Sequence, residues 1–219
     1  MTPDARPGWA PYRDRTEAGR RLAEKLVDLD LQRPLVLALP RGGVPVARAV
    51  AKTLGAALDV LLVRKIGAPG HRELGVGAIG EDDVEVLDTD RIAALGLPSG
   101  AVDRVIAEER RELARRVERY RTLGGRHDVY ARDAVVVDDG VATGGTARAA
   151  IEVLRHRGAR RVVLAVPVGS QLALEELARD ADHVVCPLVV PGPFAVGGWY
   201  RDFHQLDDDE VLALLDRST

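Results

Sequence analysis

Apolar and polar positions along the chain switch repeatedly between short continuous apolar runs and helical spacing. Residues 16–29 set Ala18, Leu22, Leu26 and Leu29 on one helical face, with Thr16 in the N-cap position. Leu35–Leu39 is an apolar run closed by Pro40, Gly42 and Gly43, which predicts a strand, and a helix over 44–54 follows. Asp59–Lys65 predicts a second strand. Residues 66–77 carry four glycines and a proline and predict a flexible loop, and Val84–Leu87 predicts a short hairpin strand.

A long helix is expected over 101–122, striped by Val102, Val105, Ile106, Leu113, Val117 and Tyr120. Beyond it the pattern predicts strands at Ala134–Asp138, Arg161–Pro167 and His183–Val189. Helices are expected at 145–157, 171–179 and 208–216. Continuous apolar strands joined by helices imply an α/β, doubly wound, mainly five-stranded parallel sheet covered on both faces. The expected organisation is a single domain over 1–219. Its core spans about 16–189, with a long-helix insertion at about 80–130 and a small C-terminal hood at about 190–206.

Composition narrows the classes. The 219 residues include 31 basic and 34 acidic side chains, a formal charge of −3, which argues against a generally basic nucleic-acid binder. The single cysteine, Cys186, excludes an internal disulfide framework and a Cys-rich zinc site. No apolar run is long enough to span a bilayer, and the first 30 residues hold no apolar signal segment. A cytoplasmic protein without membrane or nucleic-acid partners is expected. Lys25, Lys52 and Lys65 are the only lysines, so arginine is the background cation.

The candidate chemistry concentrates in Ala134–Thr146, AVVVDDGVATGGT. A buried strand runs into two carboxylates, then a loop of small residues, then a helix start. Backbone N–H groups of Thr143, Gly144, Gly145 and Thr146 can converge there on a phosphate. Asp138 and Asp139 can accept hydrogen bonds from vicinal ribose hydroxyls. Pro40–Gly43 ends the first strand, where Gly42 and Gly43 expose amides and Arg41 offers a guanidinium fork to a diphosphate. In a 2-1-3-4-5 sheet the first and third strands are neighbours, so both loops open into the crevice at the switch point. Arg64 and Lys65 end the second strand, either as snorkelling side chains or as cations for a leaving group. Phe194, Trp199, Tyr200 and Phe203 are half of the eight aromatics and fall in one loop, either as a stacking surface or as a small hydrophobic cluster. Two glycine patterns fail on context. Gly75–Gly80 leads into acidic residues instead of a helix, and Gly140–Gly145 is followed by Thr146 where a P-loop needs lysine.

The 134–146 string resembles the PRPP-binding motif of type I phosphoribosyltransferases. PRGG followed by RKIGAPG is similar to a group of uncharacterised bacterial phosphoribosyltransferase-domain proteins. The resemblance implies that Asp138 and Asp139 hold the ribose hydroxyls, and that Ala142, Thr143, Gly144, Gly145 and Thr146 hold the 5′-phosphate. It implies that Arg41, Gly42, Gly43, Arg64 and Lys65 meet the pyrophosphate, with residues 66–77 closing as a lid. Mg²⁺ is the implied cofactor, with no direct protein ligand beyond Asp138 and Asp139. Phe194, Val196 and Trp199 would form a hood over the acceptor. Hypoxanthine-guanine enzymes place an Asp where this chain has Ala142. Adenine enzymes have Ala there and use a Glu from the mobile loop, which makes Glu73 the counterpart. The implied reaction transfers the 5-phosphoribosyl group of PRPP to a nitrogenous acceptor, a nucleobase. The helix expected at 101–122 suits either a homodimer face or a cover for the sheet. The alternative is a non-catalytic PRPP-binding regulatory protein on the same fold.

Overall fold

The computed structural model of the chain describes residues 10–123, 127–192 and 194–216. The first helix, α1 (Arg15–Leu26), is capped by Asp14 and not by Thr16, because the Asp14 carboxylate accepts from the N–H of Glu17 at 2.7 Å. It is followed by β1 (Leu35–Ala38) and α2 (Gly43–Leu54). Gly55 ends α2 in the left-handed region, at φ +59°, where a glycine carries no steric penalty.

The expected second strand divides in two. β2 (Ala57–Val60) pairs with β1, and β3 (Val63–Ala68) instead pairs antiparallel with β4 (His71–Gly80). Leu61 and Leu62 between them are both buried, one in each of the two main cores. The apolar run is therefore unbroken while its hydrogen-bonding partner changes. Residues 66–77 are accordingly a hairpin and not an open loop. Two of its glycines serve close packing: a Cβ would lie 2.6 Å from the carbonyl of Arg72 at Gly67 and 2.4 Å from the carbonyl of Val86 at Gly77. β5 (Glu85–Leu87) adds a third antiparallel strand, as the sequence pattern predicts. The short α3 (Thr89–Ala94) is not anticipated by the pattern, and the long α4 (Ser99–Tyr120) is.

The chain re-enters the parallel sheet at β6 (Asp133–Val137) and continues through α5 (Gly145–His156), β7 (Arg161–Ala165), β8 (Val168–Ser170) and α6 (Gln171–Leu177). The expected last strand also divides, into β9 (His183–Val185) in the main sheet and β10 (Leu188–Val190), which pairs with β8. α7 (Asp208–Asp216) follows. The main sheet is all parallel, in the order β2-β1-β6-β7-β9, the 2-1-3-4-5 arrangement. Alternate strand residues feed two cores. Val36, Val135 and Val163 face α1 and α2 through Leu22, Leu26 and Val50, while Leu37, Val136 and Leu164 face α5 and α6 through Ile151, Leu154 and Leu177.

One ionic cluster ties the antiparallel unit to this sheet. Arg121, just past α4, donates to both carboxylate oxygens of Glu81 (2.7 and 2.6 Å) and to Asp59 Oδ1 (2.6 Å). Asp59 belongs to β2 and Glu81 follows β4, so one guanidinium fixes the hairpin and the helix end against the sheet edge.

Candidate active site

β1 and β6 run in register from Leu35↔Ala134 to Ala38↔Val137, so their C-terminal ends stop level with each other. α2 and α5 then depart to opposite faces, which opens a crevice at this switch point. Both candidate loops lie in it. A Cβ on Gly43 would come 2.5 Å from the carbonyl oxygen of Val137, and one on Gly42 would strike the Asp139 carboxylate. Two glycines are therefore required for the first loop to lie against the second. The Pro40–Arg41 peptide is cis.

Gly144 caps α5 at φ +80°, a conformation that suits glycine. Among the described residues, the N–H groups of Thr143, Gly144, Gly145 and Thr146 meet no protein acceptor, and Thr143 and Thr146 are exposed. Four unsatisfied donors at the positive end of a helix make an anion cradle. The N–H groups of Arg41 and Gly42 are likewise without a protein acceptor among the described residues.

The two carboxylates differ. Asp138 is half-buried and lines a cleft of about 790 Å³, and its Oδ1 accepts from the N–H of Asp139 at 2.8 Å. Burial first, and then the Asp139 charge, hold the Asp138 carboxyl well above the ordinary carboxylate range. Asp139 faces the other way, and its Oδ2 receives Arg15 Nε at 2.9 Å. Burial raises the Asp139 pKa, while the Arg15 hydrogen bond and charge oppose that rise.

Sequence comparison agrees with this geometry. The sequence pattern of the phosphoribosyl transferase domain matches residues 11–195. The chain belongs to the phosphoribosyl transferase domain family. Two Mycobacterium tuberculosis proteins, named "Putative phosphoribosyl transferase MT0597" and "Putative phosphoribosyl transferase Rv0571c", are 51% identical to it over 207 residues, 94% of this chain and 47% of theirs. The chain thus spans about half the length of these curated relatives. The crystal structure of TT1426 from Thermus thermophilus is 45% identical and superposes with a TM-score of 0.89, covering 94% of this chain and 98% of that one.

In this phosphoribosyl transferase domain the remaining candidates are distributed unevenly. Lys65 lines the large cleft, and its Nζ lies 3.4 Å from where a Cβ on Gly145 would sit, which puts it beside the head of α5. Arg64 also lines the cleft but is paired with Glu109 of α4 at 2.6 Å. Arg41 is exposed and faces a separate hollow of about 340 Å³, shared with Arg115, Arg116 and Arg119 of α4. The backbone of Glu73 is in β4, and its side chain lies outside the described residues.

The expected hood is an aromatic cluster. Phe194 and Trp199 meet edge to face at 6.2 Å, Tyr200 stacks between Tyr12 and Phe203, and Val196 packs on Gly140. Phe194, Val196 and Trp199 do not line the large cleft. Its far wall is built by α4, through Ala101, Arg104, Val105, Glu108 and Arg116.

Sequence reasoning passed over Arg15 and Arg104. The signal for Arg15 was present: it stands one turn before Ala18, in register with the buried stripe Ala18, Leu22 and Leu26. An arginine on an apolar helix face is conspicuous by position, although not by type in so arginine-rich a chain.

No group of three or more His, Cys, Asp or Glu side chains among the described residues could hold a metal ion. With Asp139 engaged by Arg15, Asp138 is the member of the acidic pair that lines the cleft. This donor set fits Mg²⁺, which takes few carboxylates and fills its octahedron with waters and substrate phosphate oxygens. No helix among the described residues is long and apolar enough to cross a membrane.

Proposed function

We propose that this domain transfers the 5-phosphoribosyl group of PRPP to a nitrogenous acceptor, with release of pyrophosphate. The observation that carries this reading is the meeting, at one switch point, of a four-amide anion cradle, a cleft-facing carboxylate and a second glycine loop with free amides. A 5′-phosphate fits the cradle at Ala142–Thr146, beside the Lys65 ammonium. Asp138 lies where ribose hydroxyls would follow. The pyrophosphate would lie along the amides of Arg41 and Gly42, between that loop and the hairpin. Mg²⁺, bound through phosphate oxygens and Asp138, would supply neutralisation of the leaving pyrophosphate.

The chain's own contribution is binding, orientation and charge. Helix-end amides and Lys65 anchor one end of the donor, and the glycine loop holds the other. The C1–O bond between them is exposed to an acceptor nitrogen. Breaking that bond develops positive charge on the ribose, which the Asp138 carboxylate stabilises when ionised. The hairpin and α4 wall off the cleft and limit attack by water. The acceptor belongs to the same reading: a planar nitrogen heterocycle such as a nucleobase, held either by the aromatic loop or by the α4 wall. Glu73 is the proposed acid/base.

The test is pyrophosphate release from PRPP and Mg²⁺ with pooled purine and pyrimidine bases, a no-base control, and the Asp138→Asn/Asp139→Asn double variant. Base-dependent release that is lost in the variant supports the transferase. Tight PRPP binding without release under any base overturns transfer to nucleobases and points to a PRPP sensor.

A further inference from the structure

Arg15 is a costly residue to place where it is. Its side chain is 9% exposed, on the buried face of α1, and a guanidinium so withdrawn from water needs partners for its charge. Three groups hold it. Nε donates to Asp139 Oδ2 at 2.9 Å, Nη1 donates to the carbonyl of His204 at 3.0 Å, and the guanidinium carbon stands 3.8 Å from the centroid of the Phe203 ring.

These partners come from distant parts of the chain, and two further contacts fix the frame. The segment before α1 runs beside the C-terminal loop: Arg201 N–H donates to Tyr12 O and Asp202 N–H to Arg13 O, both at 2.9 Å. The Tyr200 hydroxyl donates to the main-chain carbonyl of Asp139 at 2.5 Å. The side chain and the backbone of Asp139 are thus both gripped, on the side away from the cleft. The same carboxylate also fills the space left by the missing side chain of Gly42.

We propose that Arg15 is the positioning residue of the acidic pair. It holds the Asp139 carboxylate as a strut against the Pro40–Gly43 loop, and it leaves Asp138 as the carboxylate that meets the ribose. The proposal rests on the PRPP reading for the ribose and on the structure alone for the strut. Adjacent carboxylates in one motif therefore have different tasks: Asp138 recognises ligand, and Asp139 shapes the neighbouring loop through its ion pair. A consequence is that the N-terminal helix and the C-terminal loop, neither of which carries the motif, set the geometry of the donor site.

The experiment is a double-mutant cycle of Arg15→Gln and Asp139→Asn, with Asp138→Asn, Arg15→Lys and the milder Phe203→Leu alongside. Ribose 5-phosphate and PRPP affinities are read by calorimetry, with Tm measured for every variant. Asp138→Asn is expected to weaken ribose 5-phosphate at least ten-fold, and Asp139→Asn no more than about three-fold. Arg15→Gln is expected to weaken PRPP about ten-fold in the native background and less than two-fold in the Asp139→Asn background. Arg15→Lys should recover at least half of that loss, on a logarithmic scale, and Phe203→Leu should show a smaller loss with the same dependence on Asp139.

Equal losses of ribose 5-phosphate for the two aspartate variants would overturn the division of tasks. An Arg15→Gln effect of the same size in both backgrounds would mark Arg15 as structural only. If the native protein bound neither ligand, the PRPP reading would fall, and the cycle on Tm would still decide the strut: additive shifts overturn it, and non-additive shifts support it.

Discussion

The Lys65 ammonium stands over Gly145, 3.4 Å from the point a Cβ on that residue would occupy. Strand β3 thereby places a cation at the head of α5, where the helix's own positive end already favours an anion. The family resemblance implies that Lys65 meets the pyrophosphate, and its position beside the head of α5 also suits the 5′-phosphate of the proposed donor. Lys65→Ala is therefore expected to weaken ribose 5-phosphate and PRPP by the same factor, about ten-fold, in calorimetry. A loss confined to PRPP would return Lys65 to the pyrophosphate. Arg64→Ala, which opens an ion pair with Glu109, should cost at most about 1 kcal/mol of stability and leave ribose 5-phosphate affinity unchanged.

Gly42 touches Asp139 so closely that no side chain fits between them. Gly42→Ala must push the Asp139 carboxylate away from Arg15 or lift the loop off β6. PRPP affinity is expected to fall at least ten-fold, with a Tm loss of about 2–6 °C, in the range of about 1–2 kcal/mol for a chain of this length. Native affinity in this variant would show that the loop can move without consequence.

The raised pKa of Asp138 has a sign that can be tested. Burial and the neighbouring Asp139 charge make its ionised form unfavourable in the folded state. Stability is therefore lost as pH rises above the unfolded-state pKa, until the higher folded-state pKa is passed. Asp138→Asn removes this cost and keeps an oxygen for the Asp139 N–H. Its Tm is expected to exceed that of the native protein at pH 7.5 by about 2–4 °C, equivalent to about 1 kcal/mol. The difference should shrink as the pH is lowered toward about 4, near the ordinary aspartate value. A lower Tm at pH 7.5 would contradict the assignment.

Arg121 satisfies two carboxylates that are 8% and 4% exposed, those of Asp59 and Glu81. Arg121→Met removes the guanidinium that bridges both buried carboxylates, a change that costs about 3–5 kcal/mol in comparable sites. Urea unfolding should show a loss of that order. Because Arg121 also anchors the hairpin, proteolysis within 63–80 should accelerate in the variant.

Burial pushes the Cys186 thiol up to about 12. With so little thiolate at pH 8, iodoacetamide should leave Cys186 unmodified in the folded protein and label it readily in urea. Rapid labelling of the folded protein would show that the β9–β10 segment opens.

Much of the parallel core was legible because each element carried its own period. Leu35–Leu39 and Ala134–Val137 are continuous apolar runs, and the stripe of α4 repeats over about five turns; such patterns need no knowledge of neighbours. The acidic pair and the Thr-Gly-Gly-Thr loop were legible for a related reason, since a strand end, a turn and a helix start are contiguous in the chain. The hairpin was misread because glycine has two opposite uses. Gly67 and Gly77 permit close strand approach, as at Gly67 against Arg72, while Gly70 takes a left-handed turn conformation. The division of Asp59–Lys65 left no mark because Leu61 and Leu62 are buried whichever sheet they join.

The sequence by itself determined the α/β alternation, the cradle at 143–146 and the two carboxylates at 138 and 139. Each depends on residues close together in the chain, where backbone geometry and side-chain chemistry act locally. Only the tertiary structure decided that Asp138 faces the cleft while Asp139 faces Arg15, that Lys65 lies beside the head of α5 while Arg64 pairs with Glu109, and that α4 instead of the aromatic loop walls the cleft. Those outcomes join residues 45 to 124 positions apart. Such pairings are set by how whole helices and strands pack, and local period carries no record of them.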